Sequence, residues 1–285
     1  MALPNLIICG APKCGTSSLY FWLRAHPEAC ASKVKETFYF ADEINRFNKN
    51  LNCLEHSLTD YSRQWDHCQG QKIIFEATAP YIYFENALKR IRELPTQPKL
   101  LFILREPASR LYSKFKFNKY KLKNFQGSFE EYVSLNGKFG SGRHFEEGLY
   151  INHLRQWREV HGKENMGIFI FEEMLADRVG FMMKLAKFLD IDPDFYRDFD
   201  FFQRNETVAI KSVGLHRLGL WLQPYVPAKV QELLIPLYMK LNSSKARDKD
   251  TAEKEQLARL KDLYASSNKE LKQEFEELNL PGWRI

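Results

Sequence analysis

A chain of 285 residues, 44% hydrophobic, 14% aromatic and 27% charged, has enough apolar content to offset the entropy of ordering a core, which excludes a disordered protein. No internal period marks a repeat or collagen-like architecture, so one large domain, or one with an appended subdomain, is expected. Lys and Arg number 42 against 36 Asp and Glu, and the net charge of +6 is too small and dispersed to mark a nucleic-acid binder, though it suits a polyanionic small ligand.

The first apolar run, residues 5–9, reads as a buried strand, and a helical pattern follows at 16–25. Further strands are expected at 72–76, 99–104 and 166–171, and helices at 85–93, 109–121, 129–134, 147–161 and 173–189. The strand runs are continuously apolar instead of alternating, as in strands covered on both faces of a parallel sheet. Strand and helix in succession predict an α/β fold, three layers around a central parallel sheet with right-handed crossovers. Residues 136–142, with three glycines among polar residues, read as a mobile loop. After about residue 192 the strand signals stop, and residues 193–285 are expected to form a helical C-terminal extension, clearest at 229–241 and 251–278. In the last helix Leu257, Leu260, Tyr264, Leu271, Phe275 and Leu278 fall near one face, the pattern of a helix packed on a core.

No stretch approaches the ~20 consecutive apolar residues of a membrane span, and the run at 6–10 is too short for a signal peptide, so a cytoplasmic protein is expected. Its five cysteines are odd in number and never spaced as CxxC, which predicts free thiols. Cys53, His56, His67 and Cys68 match no regular zinc-ligand spacing, and no metal site is expected from them.

The first strand runs into Gly10-Ala11-Pro12-Lys13-Cys14-Gly15-Thr16-Ser17-Ser18, where a helix begins. A glycine-bracketed loop with one lysine, opening a helix through Thr and Ser, is a recipe for binding an anion. The glycines let the backbone approach, the free N–H groups and helix dipole favour negative charge, and Lys13 adds a cation. Lys13 precedes Gly15 by two residues, whereas the nucleotide triphosphatase loop places lysine directly after its second glycine; ATP or GTP hydrolysis is therefore disfavoured. The dinucleotide fingerprint GxGxxG is absent.

The order KxGT[ST] directly after a first strand resembles the 5′-phosphosulfate loop of sulfotransferases that use 3′-phosphoadenosine 5′-phosphosulfate (PAPS). The second motif of that family is matched by Arg105-Glu106-Pro107-Ala108-Ser109-Arg110-Leu111-Tyr112-Ser113, which fits RxPxxRxxS after the strand at 99–104. Lys35 to Phe40 is similar to the segment carrying the general base in the heparan sulfate type, and Tyr150, His153 and Trp157 to that family's third helix.

The resemblance implies that Lys13, Cys14, Gly15, Thr16, Ser17 and Ser18 hold the phosphosulfate, that Arg105 and Ser113 bind the 3′-phosphate, and that Lys211 closes over the nucleotide. It implies one sulfotransferase domain over 1–285, with a PAPS-binding core at 1–192. The partners would be PAPS, its product 3′-phosphoadenosine 5′-phosphate (PAP), and a hydroxylated small molecule, saccharide or carrier-bound acceptor. In that scheme Lys13 offsets charge on the leaving oxygen, Glu36 takes the acceptor proton, and no metal is required. Glu76 is the second candidate base. It begins Glu76-Ala77-Thr78, where the heparan-type relatives carry Glu-Lys-Thr or Glu-Lys-Ser, so a basic residue is lost; the competing readings are a non-catalytic nucleotide-binding protein and a nucleotide kinase with an atypical phosphate loop. Arg110 is grouped with Arg105 as a second cation for the ligand, and Cys14 is expected to be partly exposed with a lowered pKa.

Overall fold

The computed structural model describes residues 2–134, 143–201 and 251–285, with the backbone of two short strands between the last two segments. The expected loop at 136–142, the helix at 229–241 and Lys211 lie outside the described residues.

Five strands form one parallel sheet: β1 (Leu6–Gly10), β2 (Ala29–Ala31), β3 (Ile73–Ala77), β4 (Lys99–Leu104) and β5 (Met166–Ile170), in the order β2-β3-β1-β4-β5. All five residues of β1 are buried, as continuous apolarity requires of a central strand. The helices are α1 (Thr16–Arg24), α2 (Leu58–Ser62), α3 (Glu85–Arg92), α4 (Pro107–Lys116), α5 (Phe129–Val133), α6 (Arg143–Glu146), α7 (Tyr150–His161), α8 (Phe171–Ala176), α9 (Arg178–Leu189) and α10 (Thr251–Glu274). The three-layer α/β expectation holds, and the helix expected at 109–121 is α4 followed by a π-helical segment, Phe117–Leu122.

Chain order fixes where a ligand can enter. From β1 the chain moves through α1 to β2 and β3 on one side, then crosses back through α3 to β4 on the other. The carboxyl ends of β1 and β4, paired from Leu6↔Lys99 to Gly10↔Phe102, therefore flank a topological switch point, where open α/β sheets leave a crevice.

Three features depart from the sequence-based expectations. β2 is only three residues, Ala29-Cys30-Ala31, too short for a readable apolar run. The residues beyond 192 are not all helical, because Val208–Ile210 pairs antiparallel with Ser243–Lys245 as β6 and β7. The cysteines are not all free: Cys30 on β2 is disulfide-bonded to Cys68, 38 residues away, with the Cα atoms 5.9 Å apart. Pairing of β2 with β3 brings the two together, and local spacing carries no trace of it.

α10 buries Leu257, Leu260, Tyr264 and Leu271, the expected face, against α4, α5 and α7. Further on, Phe275, Leu278 and Trp283 join the same core as the sheet. Arg110 of α4, fully buried, donates through Nη1 to Glu147 Oε2 (3.1 Å) and through Nη2 to the His144 carbonyl (2.7 Å), tying α4 to the turn between α6 and α7. Burial alone would raise the Glu147 pKa, but nearby His144 and the Arg110 charge hold it at about 2. Because this is below the ordinary glutamate value, the pair stabilises the fold above about pH 4.5, and the contribution fades as pH falls towards 2. Glu147→Gln leaves Arg110 buried without its counterion. It is expected to lower the urea midpoint by the equivalent of ~3 kcal/mol at neutral pH, with the gap from wild type narrowing between pH 5 and pH 2.

Candidate active site

The turn from β1 into α1 leaves no room for a side chain at Gly15. Its φ is +92°, and a Cβ there would lie 2.7 Å from Met174 Cε and 2.9 Å from the Phe171 ring. Lys13 also adopts a left-handed φ of 72°. The amides of Gly15, Thr16, Ser17 and Ser18 have no hydrogen-bond acceptor among the described residues, so they open the helix as a row of free donors. Cys14 differs from expectation. It is fully buried and outside the cleft lining, with Sγ 3.7 Å from the Tyr150 hydroxyl and its amide bonded to the Ala11 carbonyl (3.3 Å), and burial pushes its thiol pKa up to about 11.

Lys13 Nζ sits 4.1 Å over the Phe117 ring. Burial is the largest cause lowering its pKa to about 8, and Lys121, Lys114 and Arg105 add repulsion. Arg105, just beyond β4, donates to the Lys13 carbonyl (3.4 Å) and lies 4.7 Å over Phe171. The Tyr150 hydroxyl donates to the Arg105 carbonyl (2.9 Å), so α7 braces the turn after β4. Ser113, on α4, opens to the same cleft as Lys13 and Arg105. Arg110 does not. Its charge is spent on Glu147, which removes it from the expected anion-binding pair.

Another stretch of the cleft lining is the segment carrying Glu36. Glu36 lines the cleft, half-buried; it accepts from the Ala79 amide (3.1 Å) and pairs with Lys35 Nζ (3.3 Å). Glu76 is fully buried and outside the cleft lining, so it is not placed to meet an acceptor. Its carboxylate accepts from Thr37 Oγ1 (2.6 Å), Thr78 Oγ1 (2.8 Å), the Tyr81 hydroxyl (3.3 Å) and the Tyr61 hydroxyl. Burial raises its pKa, and those bonds oppose the rise.

With their protons turned towards Glu76, the hydroxyls present lone pairs to the backbone beyond Glu36. Thr78 Oγ1 accepts from the amides of Thr37 (3.1 Å) and Phe38 (3.4 Å), Thr37 Oγ1 from Tyr39 (3.3 Å), and the Tyr81 hydroxyl from Phe40 (3.1 Å). One buried carboxylate thus orders four consecutive amides next to Glu36.

Lys13, Gly15, Thr16, Ser17, Ser18, Glu36, Arg105 and Ser113 all line one cleft of about 670 Å³. Among the described residues, seven cations, Lys13, Lys35, Arg46, Arg105, Lys114, Lys121 and Arg178, and a single carboxylate, Glu36, line this cleft. Arg46 and Arg178 carried no motif in the sequence, Lys35 was quoted only as the start of the Glu36 segment, and Lys114 and Lys121 were readable only as part of a basic run. The π-helical segment brings Phe117, Lys121 and Leu122 to the cleft, while Lys119 turns away to the Gly127 carbonyl (2.9 Å). His153 packs against Tyr83 outside the cleft, and burial lowers its pKa. Of the cysteine–histidine set near residue 60, His67 Nε2 lies 3.5 Å from Cys30 Sγ, a sulfur already bonded to Cys68. Among the described residues no helix is long and apolar enough to cross a membrane.

Comparison with known proteins agrees with this geometry. The bifunctional heparan sulfate N-deacetylase/N-sulfotransferase 3 of Homo sapiens is 25% identical over 295 residues, covering 99% of this chain and 31% of the relative. The heparan sulfate glucosamine 3-O-sulfotransferase 5 of Homo sapiens is 24% identical over 200 residues, covering 67% and 54%. The chain thus spans about a third to a half of the length of these curated relatives. The crystal structure of a sulfotransferase from Alicyclobacillus acidocaldarius superposes with a TM-score of 0.61 at 26% identity, covering 82% of this chain and 96% of that one. The sulfotransferase domain profile matches residues 3–207, through both strand-end motifs and the Glu36 wall, and the chain belongs to that family.

Proposed function

We propose that the chain transfers a sulfuryl group from PAPS to a hydroxyl or amine by in-line displacement, acting as one domain over 1–285. The observation that carries the reading is the opening of both anion-binding motifs and Glu36 onto one cleft. Free amides at the start of α1, a cradle that a Cβ at Gly15 would fill, and cations at two strand ends fit a nucleotide with phosphates at both ends. The single-domain reading is supported by the C-terminal Leu271, Phe275, Leu278 and Trp283 lying in one core with the sheet.

PAPS supplies an activated sulfuryl group on a leaving phosphate. The amides of residues 15–18 and Lys13 hold the phosphosulfate, while Arg105 and Ser113 hold the 3′-phosphate. Lys13 offsets the charge that grows on the bridging oxygen as its bond to sulfur breaks, more in the transition state than in the ground state. Glu36 takes the acceptor proton as the new bond to sulfur forms. Glu76 keeps Glu36 in place through the hydroxyl-bound amides beyond it. In-line attack needs the base on the far side of the sulfur from the leaving oxygen, and a cleft lined by both Glu36 and the cradle leaves room for that arrangement.

Lys13→Ala is expected to lower turnover of labelled PAPS by ~10²–10³-fold. Glu36→Gln should lower it by at least ~10²-fold while PAP binding, measured by calorimetry, stays intact. A binding protein without chemistry would bind PAP and turn over nothing in wild type. Glu76→Gln replaces an all-acceptor carboxylate by an amide that must donate. The expected result is a loss of ~1–3 kcal/mol in stability, with kcat falling and the Kd for PAP unchanged.

A further expectation concerns pH. In the free protein Lys13 loses its proton near pH 8, and a bound anion favours the charged form. PAP affinity should therefore be flat below pH 8, weaken above it, and be accompanied by proton uptake, seen as a buffer-dependent binding enthalpy. Lys13→Arg should remove the pH dependence.

A further inference from the structure

The Glu36 wall carries a ring where the backbone does not favour one. Phe38 has a φ of 51°, in the left-handed region that glycine occupies freely and a phenylalanine only at a cost. That backbone puts the Phe38 ring in the cleft two residues from Glu36, stacked on Phe47 with centroids 5.2 Å apart and planes 17° from parallel. Phe47 is 59% exposed although it lines the same cleft, and Leu122, in the same lining, is 47% exposed. An apolar platform therefore stands beside the base.

The cations around the platform are the second observation. Arg46 lies 4.6 Å over the Phe47 ring. Lys114, on α4, lines the cleft and makes no hydrogen bond or ion pair among the described residues. Burial disfavours its charge; Glu147, already bonded to Arg110, favours it most among the acids and Glu36 less, while Arg110 and Arg143 repel it. A half-buried ammonium without a partner is costly unless a ligand supplies the anion. Lys13 and Arg105 match the donor and Lys35 pairs with Glu36, which leaves Lys114, Arg46, Lys121 and Arg178; of these, Arg46 stands on the platform itself and Lys114 is within the field of Glu36, so these two are the ones placed for the other substrate.

We propose that the acceptor is an amphiphilic anion: a hydroxylated molecule whose flat apolar ring system rests against Phe38 and Phe47 and whose carboxylate, sulfate or phosphate is held by Lys114 with Arg46. This rests on the sulfotransferase reading above. A neutral alcohol would leave Lys114 unpaired, and a wholly polar polyanion would gain little from an unfavourable backbone at Phe38.

The test uses the full chain with labelled PAPS and a matched pair of acceptors, 6-hydroxy-2-naphthoate and its carboxamide. The acid should exceed the amide in kcat/KM by about tenfold, the worth of one charged hydrogen bond. Lys114→Gln should bring that ratio close to one. Phe38→Gly should raise KM for both acceptors by about tenfold while Tm stays level or rises, because the backbone is relieved, and PAP still binds. A purely structural role for Phe38 predicts the reverse: a lower Tm and an unchanged KM. Equal rates for acid and amide in wild type, or a Lys114→Gln variant that keeps their ratio, overturn the assignment. If PAP binds but neither naphthoate is sulfated or binds the PAP-loaded protein, the acceptor assignment fails and the donor reading stands. If PAP does not bind, both fall together.

Discussion

The cleft depends on a steric constraint at one residue. Where β1 gives way to α1, Met174 and Phe171 press so close to Gly15 that no side chain fits, and the φ of +92° suits glycine alone. That turn starts the helix at Thr16 and leaves its first amides without partners. It also aims Lys13 across the cleft at Phe117. A bulkier turn would separate the strand end from the helix end, and the anion cradle would cease to be one surface.

Crowding like charges around that turn is unfavourable, and the fold offsets it with aromatic faces and backbone carbonyls. Lys13 rests on Phe117, and Arg105 on Phe171 with a bond to the Lys13 carbonyl. The Glu36 wall is held differently, by a carboxylate kept out of reach. Glu76 lies outside the cleft lining, yet four hydroxyl groups turn to it, and three of them, on Thr37, Thr78 and Tyr81, so present their oxygens to the chain after Glu36. One wall is shaped by cations on rings, the other by a buried acid.

What the sequence revealed was local. β1, β3, β4 and β5 read as apolar runs, and the two strand-end motifs placed Lys13, Arg105 and Ser113 on one cleft because Lys13 and Arg105 lie within a few residues of a strand end and Ser113 on the helix that follows directly. What it concealed depended on residues distant in the chain. Arg110 fits the motif as well as Arg105 does, but Glu147, 37 positions on, claims it. Cys14 sits in an exposed-looking loop that Tyr150 covers from α7. The Cys30–Cys68 bond depends on β2, a strand too short to read. Lys114 and Lys121 stood in one basic run with Lys119, and only the π-helical turn separates those that face the cleft from the one that faces away.

The charge distribution has a kinetic consequence. The cleft's seven cations against one acid equal the whole chain's net +6, so the remaining charged residues balance to zero. To an approaching anion the cleft is a concentrated positive mouth. The field is short-ranged and directional, confined to about 10 Å at 0.1 M salt. Salt should therefore slow the encounter without much changing how the protein meets other macromolecules. On the proposed reaction, the same focus that draws an anionic donor in would hold an anionic product back, making product departure the natural slow step.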